Sequence, residues 1–571
     1  MRRAFICALA LSALAGLTMS SGAGAARGEQ TRYVVLYKQG ASAAQAQRAI
    51  EAAGGRVVQV NKAIGVGSVV SSNPRFAAAV AAKGAIAGAA RDQVIGHAPG
   101  AKPRAIETEV GGPLGTNHTT AAAPRSARAG AASAALTADP LAPLQWDMRM
   151  IHATVDGSYA VNQGSKDVLV GVMDTGIDGS HPDIAPNFNA GLSRNFTEDI
   201  EIIDGPCDNP EPDPCKDPAD VDDDGHGTHV ASTIGSPLNG IGMAGVAPNV
   251  SLVNIRAGQD SGFFFLQPTL DAMVYAGDTG IDVVNMSFFV DPWLYNCASN
   301  PADSPAQLAE QRTIVRAVQR AVNYAMHRGV TFVSAAGNED DDLGAPEPDT
   351  ISPDFPEGAA HDRIITRGCV SVPTETEGVI PVSAVGPSGR KAYYSNYGLE
   401  QIEVSAPGGD RREFVGTPRY NAPDTRILAA YPKSVGLAAG TIDPATGEPT
   451  TPLVVRDAGN PDAYYQYIQG TSMASPHAVG VAALIVSQFG RPDARHGGLT
   501  MNPLNVRKQL LIRAQDTPCP TPRLFHYDDP ALPAEQFDAL CEGGKKFNGF
   551  YGQGIVDARV AEPPVGAGSH R

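Results

Sequence analysis

VLVGVMDTGIDGSHPDI, residues 168–184, decides the architecture. Its opening run, Val168–Met173, is too short for a core helix and apolar at nearly every position. Such a run reads as a strand covered on both faces, the signature of a parallel sheet rather than a half-exposed antiparallel one. Val250–Ile255, Val283–Met286 and Thr331–Ala335 repeat the pattern. A helix is marked before the last of these. Ser304-Pro305-Ala306-Gln307 supplies an N-cap, a proline at the first helical position and a capping-box glutamine. Apolar residues follow at helical spacing from Leu308 to Met326, and Gly329 ends the segment. Strands alternating with helices predict an α/β fold over 144–562, a doubly wound, mainly parallel sheet, with loops inserted at about 195–222, 339–380 and 408–462. Asp174 stands where the first strand ends, and the carboxyl ends of parallel strands are where ligands bind.

The 571-residue chain is 43% hydrophobic, 6% aromatic and 18% charged, a globular composition that excludes collagen, coiled coil and a fully disordered chain. Its net charge of −16 argues against nucleic acid or an anionic membrane as partner. The charge is segregated: residues 1–145 carry a net +9 and the remainder −25. Complementary potentials of this kind steer two parts of one chain together.

The front of the chain reads as three segments. Residues 1–25 have the form of a secretory signal: Arg2 and Arg3, an apolar run from Ala4 to Met19, and Ala23-Gly24-Ala25 as a cleavage site. The expectation is a secreted, extracellular protein with no membrane anchor. Residues 26–97 hold a small α+β unit in the order β-α-β-β-α-β, the split-βαβ pattern. Its strands are expected at Tyr33–Gln39, Arg56–Val60, Gly65–Val70 and Gln93–Gly96, and its helices at Ser42–Ala53 and Asn73–Lys83. Residues 98–143 are rich in Ala, Gly and Pro without periodicity, a flexible linker suited to cleavage. Residues 563–571 read as a disordered tail.

Three blocks carry chemistry. Asp174 lies in DTGI. His226 lies in DGHGTHVASTI, between glycines at the start of a helical run. Ser472 lies in GTSMASPHAVGVAAL, where it opens an apolar, small-residue helix and meets the positive end of the helix dipole. A serine hydroxyl is a poor nucleophile at neutral pH and needs a neighbouring imidazole to take its proton. The imidazole needs a carboxylate to fix its tautomer and stabilise its cation. Asp174, His226 and Ser472 supply the three groups, in the order Asp, His, Ser.

These three blocks, in this order and with these flanking glycines, resemble the subtilisin-like serine peptidases, the subtilase family. The front unit resembles the propeptide inhibitor of the same family in element order and position. The resemblance implies a serine endopeptidase that works through an acyl-enzyme, is made as a self-processing zymogen and is held by its own propeptide. Its partners would be peptide or protein substrates, and it would act as a monomer with no cofactor for the chemistry. TFVSAAGNED, residues 331–340, looks like the family's oxyanion block, with Asn338 as side-chain donor beside the Ser472 backbone N–H. VVNMSFF, residues 283–289, resembles the strand along the primary specificity pocket. There Ser287 is followed by Phe288-Phe289 in place of the family's small pair, which predicts a narrowed or reshaped substrate pocket. A transpeptidase and a peptide-binding pseudoenzyme are the alternatives on the same fold.

Asp183, after His181-Pro182, resembles a family calcium ligand, and the Asp220, Asp222, Asp223 and Asp224 run is oxygen-rich without EF-hand spacing. A structural calcium is the one metal the sequence suggests. His226-x-x-His229 has no third ligand at zinc spacing, and His181, His229 and His477 read as packed residues. Once Cys7 leaves with the signal, six cysteines remain, an even number consistent with three disulfides among fifteen pairings. Cys207 and Cys215 bracket a short Pro-rich loop, and Cys519 and Cys541 bracket a C-terminal one, which leaves Cys297 for Cys369. Both of the last pair follow strands that would be neighbours in the parallel sheet.

Overall fold

The computed structural model describes residues 30–95, 136–207, 209, 212–356, 358–530 and 537–561. The expected signal, most of the linker and the tail lie outside the described residues.

The front unit has strands β1 (Gln30–Tyr37), β2 (Arg56–Asn61), β3 (Val66–Ser71) and β4 (Ile86–Ile95), with helices α1 (Ala43–Ala52) and α2 (Phe76–Ala81). The expected β-α-β-β-α-β order is present, and the antiparallel sheet runs β2-β3-β1-β4. Alternation along β1 explains why its core is apolar throughout. Tyr33, Val35 and Tyr37 pack with Ile50, Phe76 and Val80 on the unit's own helices. Val34 and Leu36 join a cluster that belongs to the larger domain. Several boundaries differ from expectation: β1 begins three residues earlier, at Gln30, and the starts of β4 and α2 also move. β4 begins seven residues before Gln93, at Ile86. The small residues Ala87–Ala90 look unlike a strand because a helix lies against them: a Cβ on Gly88 would meet Thr313 Oγ1 at 2.3 Å. α2 begins at Phe76 and not Asn73, because Asn73 Oδ1 accepts the Arg75 N–H in a turn ahead of the helix.

The larger domain is built on seven parallel strands: β5 (Leu169–Met173), β6 (Arg194–Asn195), β7 (Ser251–Arg256), β8 (Val283–Met286), β9 (Thr331–Ala335), β10 (Val379–Val385) and β11 (Val404–Pro407). Their order across the sheet is β11-β10-β9-β8-β5-β7-β6. The chain passes from β5 to the edge strand β6, comes back to β7 between them, then crosses to the other side of β5 with β8. That reversal is the topological switch point of a doubly wound sheet, the place such folds put their ligands.

Helices cover both faces. α4 (His226–Gly235) and α7 (Thr471–Phe489) lie with Val170, Val172, Val283 and Val333 on one face. α7 is long and apolar enough to cross a membrane by composition, and 83% of that window is buried inside the domain. α5 (Leu266–Thr279) and α6 (Pro305–Met326) lie on the other face with Val253, Val284 and Phe332. The predicted capping box at Ser304 and Gln307 is formed. The front sheet packs on α5 and α6. Asp92 Oδ1 accepts the Gln267 N–H at 2.8 Å near the start of α5. Asp271 accepts from Asn61 at 3.0 Å and Gln59 at 3.2 Å, and Glu310 accepts the Arg91 N–H at 2.9 Å. The described ion pairs across this contact are Arg32–Glu198 and Arg91–Glu310, so apolar packing and amide–carboxylate bonds carry more of it than charge segregation suggested.

The three disulfides are Cys207–Cys215, Cys297–Cys369 and Cys519–Cys541, as the spacing argument expected. The third inserted loop, 408–462, contains two strands that pair with a third just beyond it. Ile427–Ala430, Val454–Arg456 and Tyr464–Ile468 form a three-stranded antiparallel sheet that delivers the chain to α7.

Candidate active site

Asp174 leaves the carboxyl end of β5 fully buried, and its backbone carbonyl accepts the N–H groups of Ala257 and Gly258. His226 opens α4 after Gly225, whose φ of +98° makes the turn into the helix. Gly227 allows the two blocks to touch: a Cβ there would lie 2.1 Å from the Gly176 carbonyl oxygen. The result is a buried contact of 2.6 Å between His226 Nδ1 and Asp174 Oδ1. Burial works against the imidazolium, but the charge and hydrogen bond of Asp174 outweigh it and hold the His226 pKa above its ordinary 6.5. Nε2, the other ring nitrogen, is buried and makes no hydrogen bond.

Asp222, which the sequence offered only as part of an acidic run, ties these blocks together. Its Oδ1 accepts from Thr175 Oγ1 at 3.0 Å and Gly225 N at 2.9 Å. Its Oδ2 accepts from Thr228 N at 2.9 Å and Thr228 Oγ1 at 2.6 Å. Asp224 accepts the His226 N–H at 3.0 Å, and burial pushes its pKa up to about 7. The run is thus a scaffold under Asp174 and His226.

Ser472 sits in the first turn of α7, fully buried. Pro476 lies inside that helix and has no N–H for the Ser472 carbonyl four residues earlier. Ser287 Oγ takes that place at 3.0 Å. Asn285 Nδ2 donates to Ser287 Oγ at 2.9 Å, and Ser475 Oγ donates to Asn285 Oδ1 at 2.5 Å, closing a network between β8 and α7. Ser472 Oγ donates to the Ser287 carbonyl at 3.4 Å, and no hydrogen bond joins it to His226 Nε2 in this structure.

Asn338 follows the end of β9. Its Oδ1 accepts from Thr471 N at 2.9 Å and Thr471 Oγ1 at 3.1 Å. That fixes the amide and leaves Nδ2 as a buried donor without a partner. A fixed donor beside the first turn of α7 suits a developing oxyanion.

Phe288 and Phe289 depart from the substrate-pocket expectation. Phe288 is fully buried and stacks on Phe264 within the core under α5. Phe289 packs with Leu294, Tyr295, Leu343 and the Cys297–Cys369 bridge. The larger side chains turn inward because apolar partners cover them, Phe264 from the loop after β7 on Phe288, and Leu294, Tyr295 and Leu343 on Phe289. Ser287 binds the Ser472 backbone.

Asp183 is fully buried. It accepts from Asn239 Nδ2 at 3.1 Å, Met243 N at 3.1 Å and Tyr465 OH at 3.0 Å, and these contacts lend no support to a calcium role. Among the described residues, Asp199, Asp217 and Asp260 bring carboxylate oxygens within 4.8 Å of one another. The Arg256 guanidinium already binds Asp217 at 2.7 Å and Asp260 at 2.5 Å, so the cluster has a cation of its own. His181, His229 and His477 are packed as expected. His229 Nε2 faces the carbonyls of Ile427 and Gln466, and burial pushes its pKa down to about 3. His477 bridges the Met473 carbonyl on its own helix and Asp147 on α3 (Trp146–Met150).

Known proteins share this arrangement of sheet and helices. An epidermin leader peptide processing serine protease from Staphylococcus aureus superposes with a TM-score of 0.59 at 20% identity, covering 93% of this chain and 98% of that one. Fervidolysin from Fervidobacterium pennivorans, titled a keratinolytic enzyme related to subtilisin, gives 0.54 at 20% identity, over 94% of this chain and 62% of its own. At that identity the likeness is one of fold. In sequence, a thermophilic serine proteinase of Bacillus sp. (strain AK1) is 29% identical over 334 residues, 58% of this chain and 55% of its own. Subtilisin DY of Bacillus licheniformis is 27% identical over 333 residues, 57% and 80% of the two chains. The nisin leader peptide-processing serine protease of Lactococcus lactis subsp. lactis is 29% identical over 376 residues, 65% and 48%. The chain therefore spans about half the length of the first and third of these relatives. The Subtilase family model matches residues 165–554, about two thirds of the chain, and with Asp174, His226 and Ser472 all inside that span the chain belongs to the subtilase family.

Proposed function

We propose that the protein is a secreted serine endopeptidase that hydrolyses peptide bonds through an acyl-enzyme. The observation that carries this reading is the buried Asp174–His226 pair, whose free nitrogen lies at the sheet edge that also holds Ser472 and the unpartnered Asn338 amide. In the proposed reaction Ser472 Oγ attacks the substrate carbonyl carbon as its proton passes to His226 Nε2. Asp174 keeps the His226 proton on Nδ1 and stabilises the imidazolium. The oxyanion is held by Asn338 Nδ2 and the Ser472 N–H. Collapse of the tetrahedral species breaks the C–N bond, and the amine leaves with the proton from His226. Water, activated by the same imidazole, then hydrolyses the ester. The Ser472 hydroxyl must turn from the Ser287 carbonyl toward His226 for the first step.

On this reading residues 1–25 direct export, residues 26–97 act as a propeptide that inhibits the enzyme, and cleavage within 98–143 releases it. The family membership, the serine-protease activity of the relatives and the seating of the front unit on α5 and α6 support it. A serine-directed fluorophosphonate should label the mature protein at Ser472, and digestion of a peptide should yield free carboxyl termini. Persistence of both labelling and hydrolysis in Ser472→Ala overturns the assignment.

A further inference from the structure

Taking Ser472 and Asn338 as nucleophile and oxyanion donor, we infer that Asn396 is a positioning residue that sets the main chain of the oxyanion loop. Asn396 follows β10, 58 residues beyond Asn338 in sequence, and is 1% exposed. Its contacts fall on both sides of Asn338 and skip Asn338 itself. Before it, the Asn396 N–H donates to the Gly337 carbonyl at 3.0 Å, and Nδ2 donates to the Ala336 carbonyl at 3.1 Å. After it, Oδ1 accepts the N–H groups of Glu339 at 3.0 Å and Asp341 at 2.9 Å. Nδ2 also donates to Glu339 Oε2 at 2.8 Å and lies 3.2 Å from the Tyr295 hydroxyl. Glu339 Oε2 in turn accepts the Asn338 N–H at 2.9 Å, so the grip reaches the donor residue through one intermediate.

This arrangement requires a side-chain amide. The loop presents two N–H groups that need an acceptor and a carbonyl that needs a donor, and a carboxylamide supplies both from one planar group. An aspartate would keep the acceptor, lose the donor and set a second charge against Glu339. Gly337 leaves the room for it: its φ is +105°, and a Cβ there would lie 2.2 Å from Asn396 Nδ2. The oxyanion donor is thus held twice. Thr471 fixes the Asn338 side chain, and Asn396 fixes the main chain that carries it. A donor displaced from where charge develops loses most of its effect on the transition state while ground-state binding changes little.

The test is a double-mutant cycle on the full chain, with kcat and KM measured separately on one peptide substrate and thermal unfolding followed in parallel. Asn396→Ala and Asn396→Asp are made with Asn338 intact and in the Asn338→Ala background. With Asn338 intact, kcat should fall about 10- to 100-fold at nearly unchanged KM, a part of the roughly 10²- to 10³-fold that losing such a donor outright costs. In the Asn338→Ala background the same substitutions should change kcat less than about 3-fold, because the donor they position is gone. Equal losses in both backgrounds, or a rise in KM at constant kcat, overturn the inference and leave the proposed function standing. An Asn338→Ala protein with undiminished kcat overturns the oxyanion reading beneath it. If neither Asn396 variant folds, Tyr295→Phe, which removes one partner of Nδ2, is carried through the same cycle. A smaller kcat loss confined to the Asn338 background supports the inference, and none overturns it.

Discussion

Phe264 and Phe288 stack face to face, their ring centroids 4.0 Å apart and their planes 1° from parallel. One comes from the loop before α5 and the other from the residue after Ser287, and both are fully buried. The stack packs the segment after β8 against the loop that follows β7, where the Asp291 N–H also donates to the Phe264 carbonyl at 3.0 Å. Truncation of one ring leaves the other without its partner and opens a cavity. Phe288→Ala should cost about 3–5 kcal/mol of stability, measured by urea unfolding. The ranking of peptide substrates should change little. A large change in ranking with little loss of stability would return Phe288 to the substrate pocket.

Hydrolysis should rise with pH through a midpoint above the ordinary 6.5 of histidine. His226 acts as a base only when neutral, and Asp174 holds its pKa up against the effect of burial. Asp174→Asn should lower kcat by about 10⁴-fold through loss of the correct tautomer. The residual activity should titrate at lower pH, since the charge that favoured the imidazolium is gone. A midpoint that rises in the variant would contradict this electrostatic account.

Asp291 and Asp354 make a buried carboxyl pair beside that same loop, with Asp291 accepting the Phe264 N–H. Burial, then the charge of Asp354, pushes Asp291 well above its ordinary value, and burial pushes Asp354 up to about 7. Raised carboxyl pKa values stabilise the folded state in the protonated form. Their contribution is complete below the ordinary carboxylate value near 3.8 and is lost as pH rises through about 7. Asp354→Asn keeps a neutral partner at every pH. It should flatten the fall in urea midpoint between pH 5 and pH 8, and an unchanged slope would locate the loss elsewhere.

The Cys297–Cys369 bridge spans 72 residues and Cys207–Cys215 spans 8. By chain entropy alone their removal should cost about 4 and about 2.5 kcal/mol respectively. The longer bridge also lies in the cluster that holds Phe289 and Tyr295. Cys297→Ser/Cys369→Ser should therefore be the more damaging pair in denaturant melts, and should lower kcat through the Tyr295 contact with Asn396.

Residues 26–97, made separately, should inhibit the mature enzyme. Asp271 receives two side-chain amides of the front unit, from Gln59 and Asn61. Asp271→Ala should weaken inhibition about 10- to 100-fold, the range for losing hydrogen bonds to a charged group. Added salt should act more weakly than that substitution, because the described contact contains two ion pairs, both partly exposed. No inhibition at micromolar concentration would end the propeptide reading.

What was legible in the sequence was local. Four strand runs of the large sheet, β5, β7, β8 and β9, the capping box at Ser304, the blocks around Asp174, His226 and Ser472, and the cysteine pairings declare themselves within a few residues or by simple topology, whereas β6, β10 and β11 were not anticipated. What was illegible depends on contacts between distant segments. β4 was misjudged because its small residues answer to a helix more than 200 positions away. Asp222 looked like a metal ligand because an acidic run looks the same whether it meets calcium or backbone amides. Nothing local distinguishes Asn396 from any asparagine in a turn, because its partners come from the loops around Tyr295 and Asn338. Nothing local marks Phe288 and Phe289 as facing inward, because the rings and aliphatic side chains that cover them, Phe264 and Leu343 among them, come from other loops of the chain.

Pro476 has a consequence for how α7 could be transplanted. A helix that cannot close its own first turn depends on a neighbour, and here the neighbour is a serine on another strand. Asn285, Ser287, Ser472, Ser475 and Pro476 therefore form one unit of inheritance. A graft carrying Ser472 and its helix alone would arrive with a bare carbonyl at Ser472. A library that varies the five positions one at a time should recover almost nothing but the starting sequence, while one that varies them jointly, with alanine allowed at 476, could reach helices that bond to themselves and need no serine at 287.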